Sequence, residues 1–189
     1  TIQQDDGSVR VLYDTPEGAE EIEGSYVIGC DGSRSTVRKT QGIGFAGFTY
    51  PERFVTVSTS ANIIKNHPDM GSVAYIAHPE EWCVLLRAPD YGRFLFPTTL
   101  EMSPEEVMED GYLQERIQRV APGEEIYPIA HQTIYNVNQR VAEIYRRGRI
   151  LLAGDSAHVN NPLGGMGMNG GIHDAINLSD KLVDILQEK

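Results

Sequence analysis

Short alternating and apolar runs dominate the first half of the chain, and they predict β-strands. Residues 9–13 alternate between apolar and polar side chains, a turn signal follows at 14–18, and an apolar run at 25–28 stops at Gly29. This order predicts a β-hairpin that leads into a further strand. The next strand-like runs are short and separated by turn residues, which favours an antiparallel sheet. They cover residues 54–57, 73–76, 82–86 and 93–96.

The stretch that follows carries a helix signal. Ser103 is a good N-cap, Pro104 suits the first helical position, and Glu106 completes a capping box. Apolar residues then recur at helical spacing until a Pro-Gly stop at 122–123, so the pattern predicts one helix over this range. Gly111, in its middle, disfavours a helix.

The last part of the chain combines strands with a long helix. Strand-like runs cover 126–137 and 149–153, and apolar residues keep helical spacing from Ile172 to Leu186. Both ends of the chain therefore look α/β-like, whereas the middle reads as a mixed sheet with one helix. An insertion between two pieces of one domain explains this order, and the predicted segments are 1–47, 48–147 and 148–189.

Composition narrows the class of protein without pointing to a reaction. Of the 189 residues, 40% are hydrophobic and 23% are charged, which is typical of a globular chain. The formal net charge of −11 disfavours non-specific nucleic-acid binding, because such binding requires basic patches. Only Cys30 and Cys83 occur, no apolar run could span a bilayer, and no signal peptide is visible. We therefore expect a cytoplasmic protein with no membrane span, no nucleic-acid partner and no metal site.

The segment ILLAGDSAH at 150–158 begins the more informative of two motifs. Its strand ends at Gly154, where the missing Cβ lets another group approach the main chain. Asp155 follows at the carboxyl end of the strand, where α/β sheets bind ligands, and its carboxylate suits the hydroxyl groups of a polyol or ribose. The loop PLGGMGMN at 162–169 then precedes a helix. Its unpaired N–H groups and the helix dipole favour an anion or an electron-rich carbonyl.

A second motif, YVIGCDGSRSTVR at 26–38, repeats this arrangement. A strand again ends in a Gly-Asp-Gly turn, and a helix is predicted from Ser35. Asp31 can accept hydrogen bonds, while Arg34 and Arg38 offer donors near the helix N-terminus, which suits a pyrophosphate or a dinucleotide. Either motif alone could be a structural turn. The two together, each at a strand-to-helix junction, favour a ligand site.

At these residues the chain resembles the FAD-dependent class A aromatic-ring monooxygenases, the family of para-hydroxybenzoate hydroxylase and 3-(3-hydroxyphenyl)propionate hydroxylase. The resemblance covers nearly the whole chain, including YPER at 50–53 and RFLFP at 93–97. It implies an α/β fold of mixed α+β character. In this fold the two end segments form part of a Rossmann-like FAD-binding domain, and the middle segment is an inserted mixed-sheet substrate domain.

The resemblance also implies roles for individual residues. The segment from Gly29 to Arg38 matches a motif tied to both FAD and NAD(P)H, and Asp155 matches the aspartate that holds the ribityl chain. Pro162 matches the proline beside the flavin ring, and 164–169 matches the loop whose N–H groups face the flavin N1–C2=O edge. The implied cofactor-binding residues are Asp31, Gly32, Arg38, Gly154, Asp155, Pro162, Gly164, Gly165, Gly167, Met168 and Asn169.

For the intact enzyme, the resemblance implies hydroxylation of a small aromatic substrate. NAD(P)H reduces FAD, O₂ adds to give a C4a-hydroperoxyflavin, and one oxygen atom passes to an electron-rich ring such as a phenol. A base that removes the phenol proton would make the ring more nucleophilic. His78, His131 and Tyr75 are weak candidates by residue type and strand placement, since such residues on a sheet are more often structural.

The chain departs from the family pattern in one respect. The family begins with a strand–GxGxxG–helix unit, whereas here only Gly42, Gly44 and Gly47 have that spacing, and they follow a predicted helix. We therefore expect a fragment that binds FAD weakly by itself. Its uncovered apolar surface would meet a missing N-terminal half or a second copy.

Three other functions stay open. The Gly-Asp-Ser sequence at 154–156 resembles the nucleophile block of GDS-type esterases, with Ser156 as nucleophile, although the required Asp-x-x-His is missing. Non-oxygenating flavoproteins of the same superfamily, such as halogenases and reductases, share both motifs, although the match at 50–53 favours phenol hydroxylases. The third alternative is a catalytically silent, truncated chain that binds a partner.

Overall fold

A computed structural model of the protein describes residues 1–124 and 126–187. The strands, in chain order, are β1 (Ile2–Gln4), β2 (Val9–Thr15), β3 (Gly18–Gly24), β4 (Val27–Gly29), β5 (Phe45–Thr59), β6 (Val73–Ala77), β7 (Trp82–Arg87), β8 (Gly92–Thr98), β9 (Ile129–Ala142), β10 (Arg146–Arg147), β11 (Ile150–Leu152) and β12 (His158–Val159). The helices are α1 (Thr36–Thr40), α2 (Ile63–Asn66), α3 (Pro104–Val107), α4 (Asp110–Val120) and α5 (Met166–Leu186). No helix in the described part of the chain is long and apolar enough to cross a membrane.

The chain divides into two compact units. The first unit combines Thr1–Phe48 with Asn138–Lys189, and the second unit is Thr49–Val137. The second unit is therefore a contiguous insertion within the first. β5 and β9 each contribute residues to both units. The functions expected of these segments stay predictions.

The first unit contains two small sheets. β2 and β3 form the antiparallel hairpin that the sequence predicts, with Thr15 opposite Gly18, and β1 adds a third strand. In the other sheet β11 lies between β10 and β4 and pairs with β4 in parallel, so that Leu152 stands opposite Gly29. The strands that precede the two sequence motifs therefore end side by side, at the carboxyl edge of one sheet.

The second unit contains the strands β9-β5-β8-β7-β6, in this order, of a six-stranded sheet whose remaining strand is β12. The pairs β5–β8, β8–β7 and β7–β6 are antiparallel, as the sequence predicts. Side chains alternate between the two faces of such a sheet. One face packs against α4 to form the main core, and its residues are at most 1% exposed. They include Val55, Val57, Leu85, Phe94, Phe96, Leu113 and Ile117.

The helix predicted after Ser103 is confirmed at its start and wrong in its middle. Ser103 Oγ accepts the N–H of Glu106 at 3.2 Å, and Glu106 Oε2 accepts the N–H of Ser103 at 2.6 Å, which completes the capping box. The structure divides the rest of the segment into α3 and α4. The reason is a second N-cap, because the Glu109 carboxylate accepts the N–H of Tyr112 at 2.7 Å.

β5 is longer than the sequence predicts and begins in the glycine-rich stretch after α1. Gly47 lies inside it with a φ of +137°, and a Cβ at this position would collide with the main-chain oxygen of Gln139. The glycine therefore allows a close approach between main chains. Gly42 and Gly44 lie between α1 and β5. Their spacing is thus not that of a strand–loop–helix phosphate loop, as expected.

Candidate functional site

Main-chain and serine hydrogen bonds join the two sequence motifs in the first unit. The N–H of Ala153 donates to the carbonyl oxygen of Gly29 at 3.0 Å, directly after the paired strands end. Ser156 Oγ also contacts the carbonyl oxygens of Gly29 and Ala153. Because Ser156 is fully buried, its hydroxyl cross-links the motifs and cannot act as an esterase nucleophile.

Asp31 caps the helix that follows its own turn. Its carboxylate accepts a hydrogen bond from Ser35 Oγ at 2.5 Å and from the N–H groups of Thr36 and Val37 at 2.5 and 3.0 Å. Burial raises the pKa of Asp31, but these hydrogen bonds outweigh burial and hold the pKa below its ordinary value. Gly32 beside it has a φ of +78°, and its Cα faces open space. The Asp31 carboxylate thus lies at the surface of the turn and also stabilises it.

Arg38 lies inside the first unit, behind the turn. Its guanidinium donates to the carbonyl oxygen of Ser156 at 2.8 Å and to that of Ser33 at 2.7 Å, and it stacks 3.8 Å from the ring centre of Phe45. Burial lowers the pKa of Arg38, and the Asp31 carboxylate partly opposes this. Since the side chain is only 4% exposed, it connects the two motifs. Arg34, in contrast, is exposed.

The Gly154–Asp155 turn presents a carboxylate at the surface. Gly154 has a φ of +61°, which favours glycine, and its N–H donates to Asp174 Oδ2 at 2.8 Å. Gly171 of α5 lies against the turn, because a Cβ added to Gly171 would come within 3.5 Å of the Gly154 Cα. Asp155 is exposed, and its carboxylate has no hydrogen-bond partner among the described residues.

The N-terminus of α5 is open and has no side-chain cap. Pro162–Gly164 forms a short 3-10 turn, and Gly165, with a φ of +64°, connects this turn to the helix. A Cβ at Gly165 or at Gly167 would meet nothing within 4 Å in the part of the chain that the structure describes. The side chain of Met168 is 77% exposed. The glycine-rich loop is therefore shorter than the sequence predicts, since residues 166–169 already form the first helical turn.

Asn169 and Pro162 complete the surroundings of this helix end. The Asn169 side chain is exposed, and its Nδ2 donates to the carbonyl oxygen of Gly165 at 2.8 Å. Pro162 is exposed, and Asn161 Oδ1 caps the turn that contains it by accepting the N–H of Leu163 at 2.9 Å. Gly164 is exposed as well. Side chains thus hold this loop from its flanks, while its glycines face outward.

Asp174, which contacts His158, is a residue that the sequence interpretation missed. His158 Nε2 lies 2.8 Å from Asp174 Oδ2, the same oxygen that accepts the Gly154 N–H. The His158 ring also stacks on Tyr145, with ring centres 6.3 Å apart. Burial raises the pKa of Tyr145, and the Asp174 charge raises it further. Asp174 and Gly154 are 20 positions apart, so no local sequence pattern reveals that Asp174 lies beside the turn after β11.

Comparison of the sequence with known protein families shows to which family this chain belongs. Residues 1–189 match the FAD binding domain family. The chain belongs to this FAD binding domain family.

The relatives of this FAD binding domain are aromatic hydroxylases. The chain is 32% identical over 191 residues to para-nitrophenol 4-monooxygenase of Pseudomonas sp. (strain WBC-3), covering 98% of this chain and 46% of that protein. It is 32% identical over 187 residues to 3-(3-hydroxy-phenyl)propionate/3-hydroxycinnamic acid hydroxylase of Mycolicibacterium smegmatis, covering 99% of this chain and 33% of that protein. The resemblance seen in the sequence is therefore confirmed.

A solved structure shows the same fold. The crystal structure of p-nitrophenol 4-monooxygenase from Pseudomonas putida DLL-E4 matches the chain with a TM-score of 0.87 and 33% sequence identity. The match covers 99% of this chain and 48% of that one, and it confirms the expected mixed α/β fold. The chain thus spans less than half the length of these relatives.

Three features of the first unit fit the binding of FAD. The space in front of Gly165 and Gly167 leaves room for a flat ring beside main-chain N–H groups. The positive end of a 21-residue helix lies at the same point. The exposed Asp155 adds an acceptor for hydroxyl groups.

The sheet of the second unit has a second face opposite its core face, where Tyr75 and Trp82 are exposed while Phe54 and Ser58 are buried. The register puts Tyr75 beside Val84 and Arg93 beside Ser58 on this second face. Trp82 and Tyr135 pack against Phe54 there, with ring centres at 5.8 and 6.0 Å. We call this set, Phe54, Tyr75, Trp82, Arg93 and Tyr135, the aromatic face.

The three weak candidates for the base lie in different settings of the second unit. His78 lies in the turn between β6 and β7, where its Nδ1 accepts the N–H of Glu80 at 3.2 Å. Tyr75 is 65% exposed on the aromatic face. His131 is exposed on β9, and strand alternation puts it on the same side as Tyr135. The structure thus gives His78 a turn-stabilising contact and leaves Tyr75 and His131 on a surface.

Proposed function

We propose that this chain belongs to an FAD- and NAD(P)H-dependent monooxygenase that hydroxylates a phenolic ring. The observation that carries the proposal is the open N-terminus of α5, where Gly165 and Gly167 leave space beside main-chain N–H groups. The printed names of both sequence relatives describe phenols as substrates, which supports the substrate class. The overall reaction consumes one phenol, one O₂ and one NAD(P)H with a proton, and yields the hydroxylated phenol, water and NAD(P)⁺.

In this proposal the first unit holds FAD. Asp155 accepts hydrogen bonds from the ribityl hydroxyls, and the free N–H groups at residues 166–168 stabilise negative charge at the N1–C2=O edge of the ring. Gly164 and Pro162 shape the loop against which the ring rests. Bound FAD supplies the electron transfer and the activation of O₂.

The Asp31–Arg38 motif has two parts in the proposal. Gly32 and the exposed Arg34 offer a surface to the dinucleotide. Asp31 and Arg38 keep the turn in place through the hydrogen bonds described above. The proposed contribution of Arg38 to cofactor binding is thus indirect, because its guanidinium faces the interior.

The second unit provides the substrate surface in this proposal. The aromatic face offers ring-stacking partners, and Arg93, which donates to Ser58 Oγ at 3.0 Å, adds a cation that suits a phenolate or a carboxylate. Tyr75 and His131 are the side chains there that could receive the phenol proton. His78 is a weaker candidate, since its ring stabilises a turn.

The test uses the full-length protein, reconstituted with FAD, with p-nitrophenol and 3-(3-hydroxyphenyl)propionate as probes. We expect phenol-dependent NAD(P)H oxidation and, under ¹⁸O₂, one labelled oxygen atom in the aromatic product. NADH and NADPH are compared side by side. A product that requires halide, or substrate reduction without ¹⁸O, would contradict the proposal and favour the halogenase or reductase alternative. Failure of the full-length protein to bind FAD would support a catalytically silent chain.

A further inference from the structure

We propose that Asp174 is a positioning residue of the flavin site: held by His158, its carboxylate fixes the Gly154 amide and so sets the Asp155 carboxylate relative to the open N-terminus of α5. The inference rests on the proposed function, because it concerns how the chain orders a site for FAD. It assigns a role to a side chain that is not among the expected cofactor-binding residues.

The first argument is the convergence of two donors on one oxygen. The N–H of Gly154 and the Nε2 of His158 both lie 2.8 Å from Asp174 Oδ2. A carboxylate oxygen has lone pairs for both hydrogen bonds, and bonds of this charge-assisted kind are the strong ones. All three groups are therefore held in one arrangement, with His158 and Asp174 only 25% and 27% exposed.

The second argument is that the turn after β11 takes this acceptor from another element, α5. Asp174 lies well inside α5, beyond the first turn where a carboxylate would stabilise the helix dipole. The N–H of Gly154 follows the end of β11 at Leu152 and donates to Asp174, whereas the preceding N–H, of Ala153, still donates to Gly29 of β4. A buried or half-buried amide requires an acceptor, and Asp174 provides it from another element.

The third argument is that a glycine contact and a hydrogen bond together fix the orientation of the turn that contains Gly154. The main chain of Gly171 lies close to the main chain of Gly154, and this contact sets the distance between α5 and the turn. The hydrogen bond to Asp174, about one helical turn further along α5, then fixes the angle. Asp155 is the next residue in the turn, so its position follows from both contacts.

The fourth argument concerns how His158 is held. Tyr145 stacks on one side of its ring, and a Cβ added to Gly170 would come within 3.2 Å of its Cε1. β12 also ties His158 to Val141 of β9. The imidazole is thus aimed at Asp174 by three separate contacts, which is how supporting residues preorganise a binding site.

The experiment compares variants of the full-length protein. Asp174→Asn keeps the shape of the side chain and removes its charge, and His158→Leu removes the donor, whereas His158→Gln can still donate to Asp174. FAD affinity is measured by flavin fluorescence, the ring environment by visible circular dichroism of the bound flavin, and folding by far-ultraviolet circular dichroism and thermal unfolding. Asp180→Asn, at an exposed position on the same helix, is the matched control.

We expect Asp174→Asn and His158→Leu each to raise the dissociation constant for FAD about tenfold, the size of one charge-assisted hydrogen bond, and to alter the flavin dichroism. His158→Gln and Asp180→Asn should resemble the wild type. Because His158 acts through Asp174, the double variant His158→Leu/Asp174→Asn should bind FAD about as Asp174→Asn does.

The outcomes separate this inference from the proposed function. If the wild type does not bind FAD, the proposed function fails. If the wild type binds and both single variants match its affinity and dichroism, the proposed function stands and the positioning role is overturned. Variants that lose thermal stability but keep the wild-type affinity and spectrum also overturn it, since they show a purely structural contact. If Asp174→Asn does not fold, the difference between His158→Leu and His158→Gln decides.

Discussion

The two units of the chain expose different kinds of groups at the surfaces for which we propose ligands. In the first unit, polar contacts between elements order the main chain, as when Arg38 donates to the carbonyl oxygens of Ser33 and Ser156. Glycines then expose that main chain at Gly165 and Gly167. In the second unit, one face of the sheet forms an apolar core, and the other presents side chains such as Tyr75 and Trp82. In the proposed function, most binding groups are thus main-chain atoms in one unit and side chains in the other.

This difference teaches where substitutions should affect stability and where they should affect binding. A group that consists of main-chain N–H can be blocked only by adding atoms in front of it, and this need not disturb the fold. A surface of side chains is weakened by removing atoms. The apolar core beneath the sheet, in turn, tolerates neither a cavity nor an unpaired charge.

The largest expected effect comes from the buried ion pair of the second unit. Arg116 donates to Glu81 at 2.6 and 2.5 Å and to the carbonyl oxygen of Pro97 at 2.8 Å, and both charged side chains are 7% exposed. Arg116→Ala leaves the Glu81 charge buried without this partner, so we expect a loss of about 3–5 kcal/mol in the free energy of unfolding. Urea titration followed by circular dichroism measures it.

Arg10→Ala is the control, because Arg10 is 47% exposed and the loss of its surface ion pair with Glu23 should cost less than about 1 kcal/mol. The double variant Glu81→Gln/Arg116→Met removes both charges and should be less destabilised than Arg116→Ala. A loss for Arg116→Ala as small as that of the control would contradict the claim that the second unit depends on this pair.

A smaller effect, confined to binding, is expected at the open helix end. Gly167→Val fills the space in front of the N–H groups of α5, whereas helix propensity favours valine over glycine. We therefore expect FAD binding by the full-length protein to weaken about tenfold or more, with thermal stability of the FAD-free protein unchanged or slightly higher. Fluorescence titration and thermal unfolding measure the two quantities.

Ser179→Val, on an exposed part of the same helix, controls for the β-branched side chain. If Gly167→Val binds FAD as tightly as this control, the main-chain groups at 166–168 do not face the flavin. The contrast between a backbone surface and a side-chain surface would then be lost.

The smallest effect is expected on the aromatic face. Trp82→Leu removes a ring that is 42% exposed and packs edge-on against Phe54. Loss of one stacking partner corresponds to a rise of about two- to tenfold in KM for a phenol, with little change in kcat. Steady-state kinetics of the full-length protein measure both. Tyr13→Leu, at an equally exposed position of the first unit, should leave KM unchanged; an equal rise there would show that the effect is not specific to the aromatic face.

Local sequence patterns predicted the features that depend on neighbouring residues. The capping box at Ser103, the β2–β3 hairpin and the strand ends before Asp31 and Asp155 all follow from residue types a few positions apart. The open N-terminus of α5 follows in the same way from a glycine-rich segment before a helical pattern. These features include the groups that carry the proposed function.

Features that depend on distant partners could not be predicted. The sequence offered Arg38 as a donor to a ligand, but its direction is set by Phe45 and by the carbonyl oxygen of Ser156, 118 positions away. Asp174 contacts Gly154 across 20 positions, and no periodicity connects them. The division of the helix after α3 depends on Glu109, which favours a helix interior by propensity and here caps a new one instead.

The parallel pairing of β4 with β11 has a consequence for synthesis of the protein. Ser156 and Gly29 are 127 positions apart, yet their contact belongs to one small sheet. A ribosome therefore releases all of Thr49–Val137 before the partner strand of β4 exists. The insertion can fold during translation, because its residues are consecutive. Until β11 is synthesised, the edge of β4 that pairs with β11 stays unpaired, and a strand of another chain could pair with it. Slow elongation just before β11 would lengthen that exposure.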